Sequence, residues 1–179
     1  IDACRKDPGK YTYGSAGIGG SQHLAGAQFK TATGLDIRHV PYKGSGPAAQ
    51  DLIAGHIDMM IDTGSLGSIK GGLLKALAVA SDKRLPALPE VPTFMESGVP
   101  DFDLSSWVGL LGPAKLPKPI VERLNAELQA VLNDPLARDK LLGMGIAPTP
   151  GSAQQLGEQI KNDLQRYEAV VKKAGIRLE

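Results

Sequence analysis

The chain has 179 residues, room for one large domain or one and a half small ones. At this size roughly 70% of the unfolded surface can be buried, so a real core is expected. Apolar residues make up 42% and charged residues 22%, and twenty Lys and Arg against nineteen Asp and Glu leave a formal charge of +1. With eight Phe, Trp and Tyr and no basic stripe, the composition argues against a nucleic-acid binder. The single cysteine, Cys4, excludes an internal disulfide and a cysteine-based metal cluster, and reads as a buried or incidental thiol. No run of 18 apolar residues is present to span a membrane as a helix.

The first ten residues, "IDACRKDPGK", read as the tail of a helix stopped by Pro8 and Gly9, so the chain is expected to continue a longer protein. Tyr11 to Tyr13 reads as a strand. Ala25, Phe29 and Ala32 recur at helical spacing and predict a helix over 22–33, with Ser21 as N-cap and Gly34 as stop. "LDIRHVP" supplies a second strand ending at Pro41. "GSGPAAQDLIAG" predicts a helix with Pro47 in its first turn and Gly55 as stop. "IDMMID" is a third strand closed by Asp62. After a loop or short helix, "LLKALAVAS" suits a strand covered on both faces.

The segment from Ser81 to Phe102 carries Pro86, Pro89, Pro92 and Pro100 and is expected to be extended surface structure, with a short helix near Thr93 to Ser97. "LSSWVGLLGPA" is a further strand candidate, and Trp107 within it is expected in the core. Pro117 and Pro119 open a helix striped by Ile120, Leu124, Leu128 and Val131. Asp134 caps a shorter helix through Leu142. Ser152 and Gln155 form a capping box for a long helix striped by Leu156, Ile160, Leu164, Tyr167 and Val171 and stopped at Gly175. These stripes need a sheet to cover, yet residues 105 to 179 offer two strands at most, so part of that sheet is expected to lie outside this chain.

Strands alternating with helices over residues 11 to 80 predict βαβ units and a parallel sheet. Right-handed crossovers then bring the loops Gly14–Ser21, Tyr42–Gly46 and Asp62–Ser65 to one edge, where open α/β sheets bind ligands. The first loop holds four glycines and two serines. It is no dinucleotide fingerprint, because Gln22 stands where a third glycine is required after Gly17 and Gly19. It is no phosphate-binding P-loop either, because no lysine follows Gly20. Nor is it a nucleophile elbow: Tyr13 and His23 occupy positions that demand glycine around Ser15 and Ser21. What survives is anion capture by backbone N–H groups and the start of the following helix, or else a tight turn that only packs helix on strand.

His23, His39 and His56 match no metal-ligand spacing. His39 and His56 read as structural, while His23, in the first helical turn at the loop, is open to a polar contact. Lys43 is either an attraction for an acid or a solvated side chain. Asp62 orients a loop or accepts a hydrogen bond from a ligand. No carboxylate pair, catalytic triad or metal cluster emerges, so no catalytic residue, cofactor or metal is expected.

Four stretches in order, "YGSAGIGGSQHLAG", "HVPYKGSGPAAQDLIAGHID", "LKALAVASDKRLPALPEVPTFMESG" and "PKPIVERLNAELQAVL", resemble the periplasmic solute-binding proteins of tripartite tricarboxylate transporters, the Bug family. The likeness runs over essentially the whole chain. It implies a periplasmic binding protein-like α/β fold, a mainly parallel sheet with helices on both faces, as two domains around a cleft. Residues 1–104 would be the ligand-binding second domain and 105–179 a crossover, near Ser105 to Gly109, with the C-terminal part of the first. The N-terminal part of that first domain, with its opposing ligand loop, would be absent. The loop Gly14–His23 matches the family's ligand loop and Asp62 the acidic strand end beside it.

The resemblance thus implies a periplasmic, non-enzymatic protein that holds a small organic acid through backbone amides and passes it to membrane transporter subunits. The contact set would be Gly14, Ser15, Ala16, Gly17, Gly19, Gly20, Ser21, His23, Tyr42, Lys43, Asp62 and Thr63. An α/β enzyme acting on carboxylates or nucleotides, or a sensor module for a signalling receptor, are the alternatives. Exposed stripes on the C-terminal helices would favour self-association or exchange of elements between copies.

Overall fold

The computed structural model describes residues 1–176 apart from 101, 103, 105 and 106. The elements run α1 (Asp2–Lys6), β1 (Thr12–Ser15), α2 (Ser21–Thr33), β2 (Arg38–Pro41), α3 (Ser45–Ala54), β3 (Met59–Met60), α4 (Leu66–Lys70), α5 (Lys118–Asn133), α6 (Pro135–Gly143) and α7 (Ala153–Ala174). Two compact units are formed, one of Ile1–Ser105 with Tyr167–Glu179, the other of Ser106–Arg166.

In the first unit β1 is the central strand of a parallel sheet ordered β2-β1-β3. Tyr13 pairs with His39 on one side and with Met59 on the other. The chain steps from β1 outward to β2 and then back across to β3, so right-handed crossovers set α2 and α3 on opposite faces of β1. Side-chain size lets α2 approach closely. Gly26 is buried in α2, and a Cβ there would lie 2.0 Å from the Tyr13 ring, so nothing larger than glycine fits without the ring moving. Gly34 and Gly55 end α2 and α3 in the left-handed conformation, at φ 68° and 77°, where glycine avoids the Cβ clash.

The core of this unit gathers Cys4, Tyr13, Phe29, Leu35, Ile37, Val99 and Phe102. Phe29, Phe94 and Phe102 meet with ring centroids 4.3 to 5.9 Å apart, edge-on or tilted as aromatic quadrupoles prefer. A second cluster joins Leu66, Val79, Leu88 and Val91.

Three expected elements are not formed. The strand over 73–81 reduces to one parallel bridge, Val79 with Thr93, and Leu73 and Leu77 are 62% and 70% exposed. Val79 N–H donates to the Pro92 carbonyl and its carbonyl accepts from Phe94 N–H. Proline has no N–H to return, so the ladder cannot extend through Pro92. The helix near Thr93 to Ser97 is a single turn. Thr93 N–H donates to the Glu96 carboxylate and Glu96 N–H to the Thr93 hydroxyl, a reciprocal cap, but Gly98 at φ 83° stops it at once. The strand over 104–114 is absent among the described residues 107–114, where Val108 is 95% exposed. Ser105, at the expected crossover, lies outside the described residues.

In the second unit Asp134 accepts a hydrogen bond from Ala137 N–H to start α6. Ser152 and Gln155 close the expected capping box, Ser152 N–H to Gln155 and Gln155 N–H to the Ser152 hydroxyl. Neither α5 nor α6 buries a residue. Ile120, Leu124 and Val131 are 47%, 44% and 56% exposed, so the α5 stripe is under-covered as expected; along α7 Leu164 is 68% exposed, whereas Leu156, Ile160, Tyr167 and Val171 are half-buried. Trp107 departs from its expected core position. It is 40% exposed, and its indole N–H donates to Asp163 at 2.6 Å. Among the described residues no helix is long and apolar enough to cross a membrane.

Candidate functional site

Because β1, β2 and β3 are parallel and adjacent, their carboxyl ends share one edge. The loops that follow them, from Ala16, from Tyr42 and from Ile61, are tied together there by hydrogen bonds. Tyr42 N–H donates to the Ser15 carbonyl and Gly44 N–H to the Ala16 carbonyl, which docks the β2 loop on the β1 loop. On the other side Gln22 connects the β1 loop to the β3 loop. Its side-chain oxygen accepts from Ala16 N–H, and its side-chain amide donates to Asp62 Oδ1. Asp62 Oδ2 in turn accepts from Gly64 N–H at 3.0 Å and from the Ser65 hydroxyl at 2.6 Å.

Asp62 and the glycine loop are therefore brought together, with both carboxylate oxygens of Asp62 holding protein donors. Thr63 and Lys43 are exposed beside them, and Tyr42 is half-buried. The Tyr42 hydroxyl faces away to Asp51, at 2.7 Å, and His56 contacts the same carboxylate at 3.2 Å.

The loop divides its amide donors into two sets. Three are used internally: Ala16 N–H by Gln22, Gly17 N–H by the Ser15 hydroxyl, and Gly19 N–H by His23 Nδ1 at 3.0 Å. Those of Ile18, Gly20, Ser21, Gln22 and His23 have no partner among the described residues, the first intrahelical bond running from Leu24 N–H to the Gly20 carbonyl. Ser21 is not the N-cap. It is the first helical residue, Gly20 precedes it with φ −71° and ψ 165°, and no side chain caps the helix. A helix of 13 residues therefore presents orphan N–H groups and the positive end of its dipole at the end of β1. Gly17 and Gly19, at φ 148° and 78°, give the turn its backbone path.

The imidazoles of His23 and His39 stack, with centroids 3.9 Å apart and planes 5° from parallel, and the Tyr13 ring also stacks on His39, at 4.8 Å. His39 Nε2 lies 2.7 Å from the Ser15 hydroxyl. Burial, then the neighbouring His23 and Lys30, lowers the His39 pKa to about 4, and burial lowers that of His23. Two faces pressed together cannot both carry charge cheaply, so both rings are neutral at pH 7. Neither ring therefore supplies positive charge, and what the edge offers an anion is the free amides, the helix dipole and the nearby Lys43. Among the described residues no three His, Cys, Asp or Glu side chains are placed to hold a metal.

Gln22 and Ser65 are the participants missing from the sequence reading. A glutamine in the first turn after a glycine loop, with an aspartate closing the next-but-one strand, is the signal that points to the bridge.

Residues 1–176 match the family described as the tripartite tricarboxylate transporter family receptor. The chain belongs to that family. A Pseudomonas sp. protein, described as a UPF0065 protein in the tcbD-tcbE intergenic region, is 39% identical over 96% of this chain and 52% of its own length. Among solved structures, the R. palustris protein Rpa4515 with adipate superposes with a TM-score of 0.92 at 36% identity, over 98% of this chain and 59% of that one. MatC from Rhodopseudomonas palustris with bound malate gives 0.85 at 30%, over 95% and 60%. The periplasmic binding protein-like α/β fold is thereby established. The family description names a transporter receptor, and a similar solved structure is described as the periplasmic binding protein BugD, neither of them an enzyme. The chain spans about half the length of the first curated relatives it matches.

Proposed function

We propose that the protein is a periplasmic receptor that captures a small dicarboxylate and delivers it to the membrane subunits of a tripartite transporter. One carboxylate rests on the N–H groups of Ile18, Gly20 and Ser21 at the start of α2, where donors are unspent and the helix dipole favours negative charge. That uncapped helix start is the observation that carries the reading, and adipate and malate in two structural relatives supply the ligand class. Asp62 acts as the organiser of the β3 loop, its oxygens held by Gln22, Gly64 and Ser65.

We assign residues 1–104 to the ligand-binding second domain and 105–179 to the crossover and C-terminal part of the first, a division by chain order that differs from the compact units in the placement of Tyr167–Glu179. The exposed stripe of α5, with Leu164 of α7, is covered by further sheet, from another copy of the chain or by another route. Titration calorimetry of the chain with adipate, with malate and with the corresponding diamides tests the site. Binding of a diacid without binding of its diamide is the expected result, and equal binding of both would remove the anion site.

A further inference from the structure

The bridge made by Gln22 has a chemical polarity that only one arrangement satisfies. Ala16 N–H can only donate, so it must meet the side-chain oxygen. Asp62 carries a carboxylate that can only accept, so it must meet the side-chain amide. Ala16 begins the glycine loop at the end of β1, and Asp62 stands two residues beyond β3. Gln22 lies in the first turn of α2, among the unspent N–H groups. One side chain therefore sets the loop, the helix start and the neighbouring loop in register. The Asp62 end is braced from behind by Gly64 and Ser65, so a shift of Gln22 has nowhere to be absorbed except in the glycine loop.

We infer that Gln22 is the positioning residue of the site: its side-chain amide, bridging Ala16 and Asp62, holds the loop amides in the arrangement that receives a carboxylate. This rests on the dicarboxylate reading above. The group itself touches no ligand; it acts through Ala16 and Asp62. Gln22→Ala removes the bridge. Gln22→Glu keeps the acceptor for Ala16 but sets a second carboxylate against Asp62, and such a pair closes only when it shares a proton. Gln22→Glu combined with Asp62→Asn reverses the polarity of the second bond. The amide introduced at position 62 can donate to the carboxylate at position 22 while its oxygen still accepts from Gly64 and Ser65.

The experiment is calorimetry of the chain and its variants with adipate and with malate between pH 5.5 and 8, alongside amide hydrogen exchange at Ala16. Each variant is expressed as a ratio to the unmodified chain at the same pH, so titration of the ligand and of His23 and His39 cancels. Gln22→Ala is expected to weaken binding tenfold or more and to speed Ala16 exchange. Gln22→Glu is weak at pH 8 and regains at least threefold, relative to the unmodified chain, by pH 5.5. The double variant returns to within threefold at all pH values. Normal affinity and normal Ala16 protection in Gln22→Ala overturn the inference, as does a double variant no better than Gln22→Glu. If the unmodified chain takes neither diacid, the dicarboxylate reading fails. Ala16 exchange still judges the bridge, with acceleration in Gln22→Ala and recovery in the double variant supporting it and their absence ending it.

Discussion

The Ser15 hydroxyl lies 2.7 Å from Nε2 of His39, and Ser15 is fully buried. The same hydroxyl reaches the Gly17 carbonyl at 3.0 Å and accepts from Gly17 N–H at 3.2 Å, so one serine links the β2 imidazole to the first bend of the glycine loop. His39 has its pKa lowered from the ordinary 6.5 to about 4, first by burial and then by His23 and Lys30.

The sign of the pH effect follows. The unfolded chain takes a proton at His39 before the folded one does, so stability is lost as pH falls from about 6.5 through about 4. His39→Gln should flatten that part of the stability curve while lowering stability at pH 7.5, where the stack on His23 is lost. Urea unfolding at half-unit pH steps measures both. An unchanged slope in the variant would place the acid sensitivity elsewhere.

Gly19 and Gly20 make unequal demands. Gly19 sits at φ 78°, where a β-branched residue is strained, so Gly19→Val should lower both stability and affinity for a dicarboxylate. Gly20 has an extended backbone, and a Cβ there would meet the Gly17 carbonyl at an ordinary 3.6 Å. Gly20→Val should therefore fold with a loss within about 1 kcal/mol yet obstruct the helix start, weakening binding tenfold or more. Lys43→Ala, at an exposed position, should matter less. Calorimetry on the three variants checks the order, and a larger loss from Lys43→Ala than from Gly20→Val would assign the acid to the lysine.

Asp163 is the buried acid of α7. Burial pushes its pKa up, but hydrogen bonds from Gln159 and Trp107 and the guanidinium of Arg166 outweigh it and hold the carboxyl below its usual range. Asp163→Ala would leave the Trp107 indole N–H without this acceptor, at a cost of roughly 2 kcal/mol. Trp107 is the only tryptophan, so its fluorescence reports the site directly. Emission in the variant should shift to the red at pH 7. In the unmodified chain the interaction is kept above the ordinary carboxylate pKa of 3.8 and lost as pH falls through the lower folded value, so the same shift should appear only in strong acid.

The exposed apolar stripe of α5, together with Leu164 of α7, predicts association. Light scattering on a concentration series should show mass rising with concentration, and Leu164→Glu, at a position 68% exposed, should reduce it. A compact monomer at all concentrations would exclude self-association.

Elements with a strong local signal were legible in the sequence. Gly34 and Gly55 end their helices where the pattern places them, and the Ser152–Gln155 cap forms as spaced. The shared edge of the three loops followed from the alternation of strands and helices and from crossover hand alone. What failed depended on partners distant in sequence. An apolar run such as 73–81 becomes a strand only if a neighbour can complete the ladder, and Pro92 cannot. At the site, glycines and an acidic strand end were visible, but the division of amides into spent and unspent was not. That division is decided by where Gln22, His23 and Ser15 turn their side chains, and no periodicity encodes it.

The shortness of β3 has its own consequence. Two residues pair with β1, and the junction is reinforced by Asp58, whose carboxylate accepts from both the backbone N–H and the hydroxyl of Thr12 at 2.8 and 2.9 Å. A rim so thinly stitched opens at a small fraction of the global unfolding free energy. Asp62 follows it by two residues, so transient release of this rim frees the Asp62 end of the Gln22 link while β1 and β2 stay paired. On the dicarboxylate reading proposed above, entry and escape of the acid would be timed by the fraying of one outer strand, at a rate that Asp58→Ala would raise and that amide exchange across the β1–β3 pair would follow.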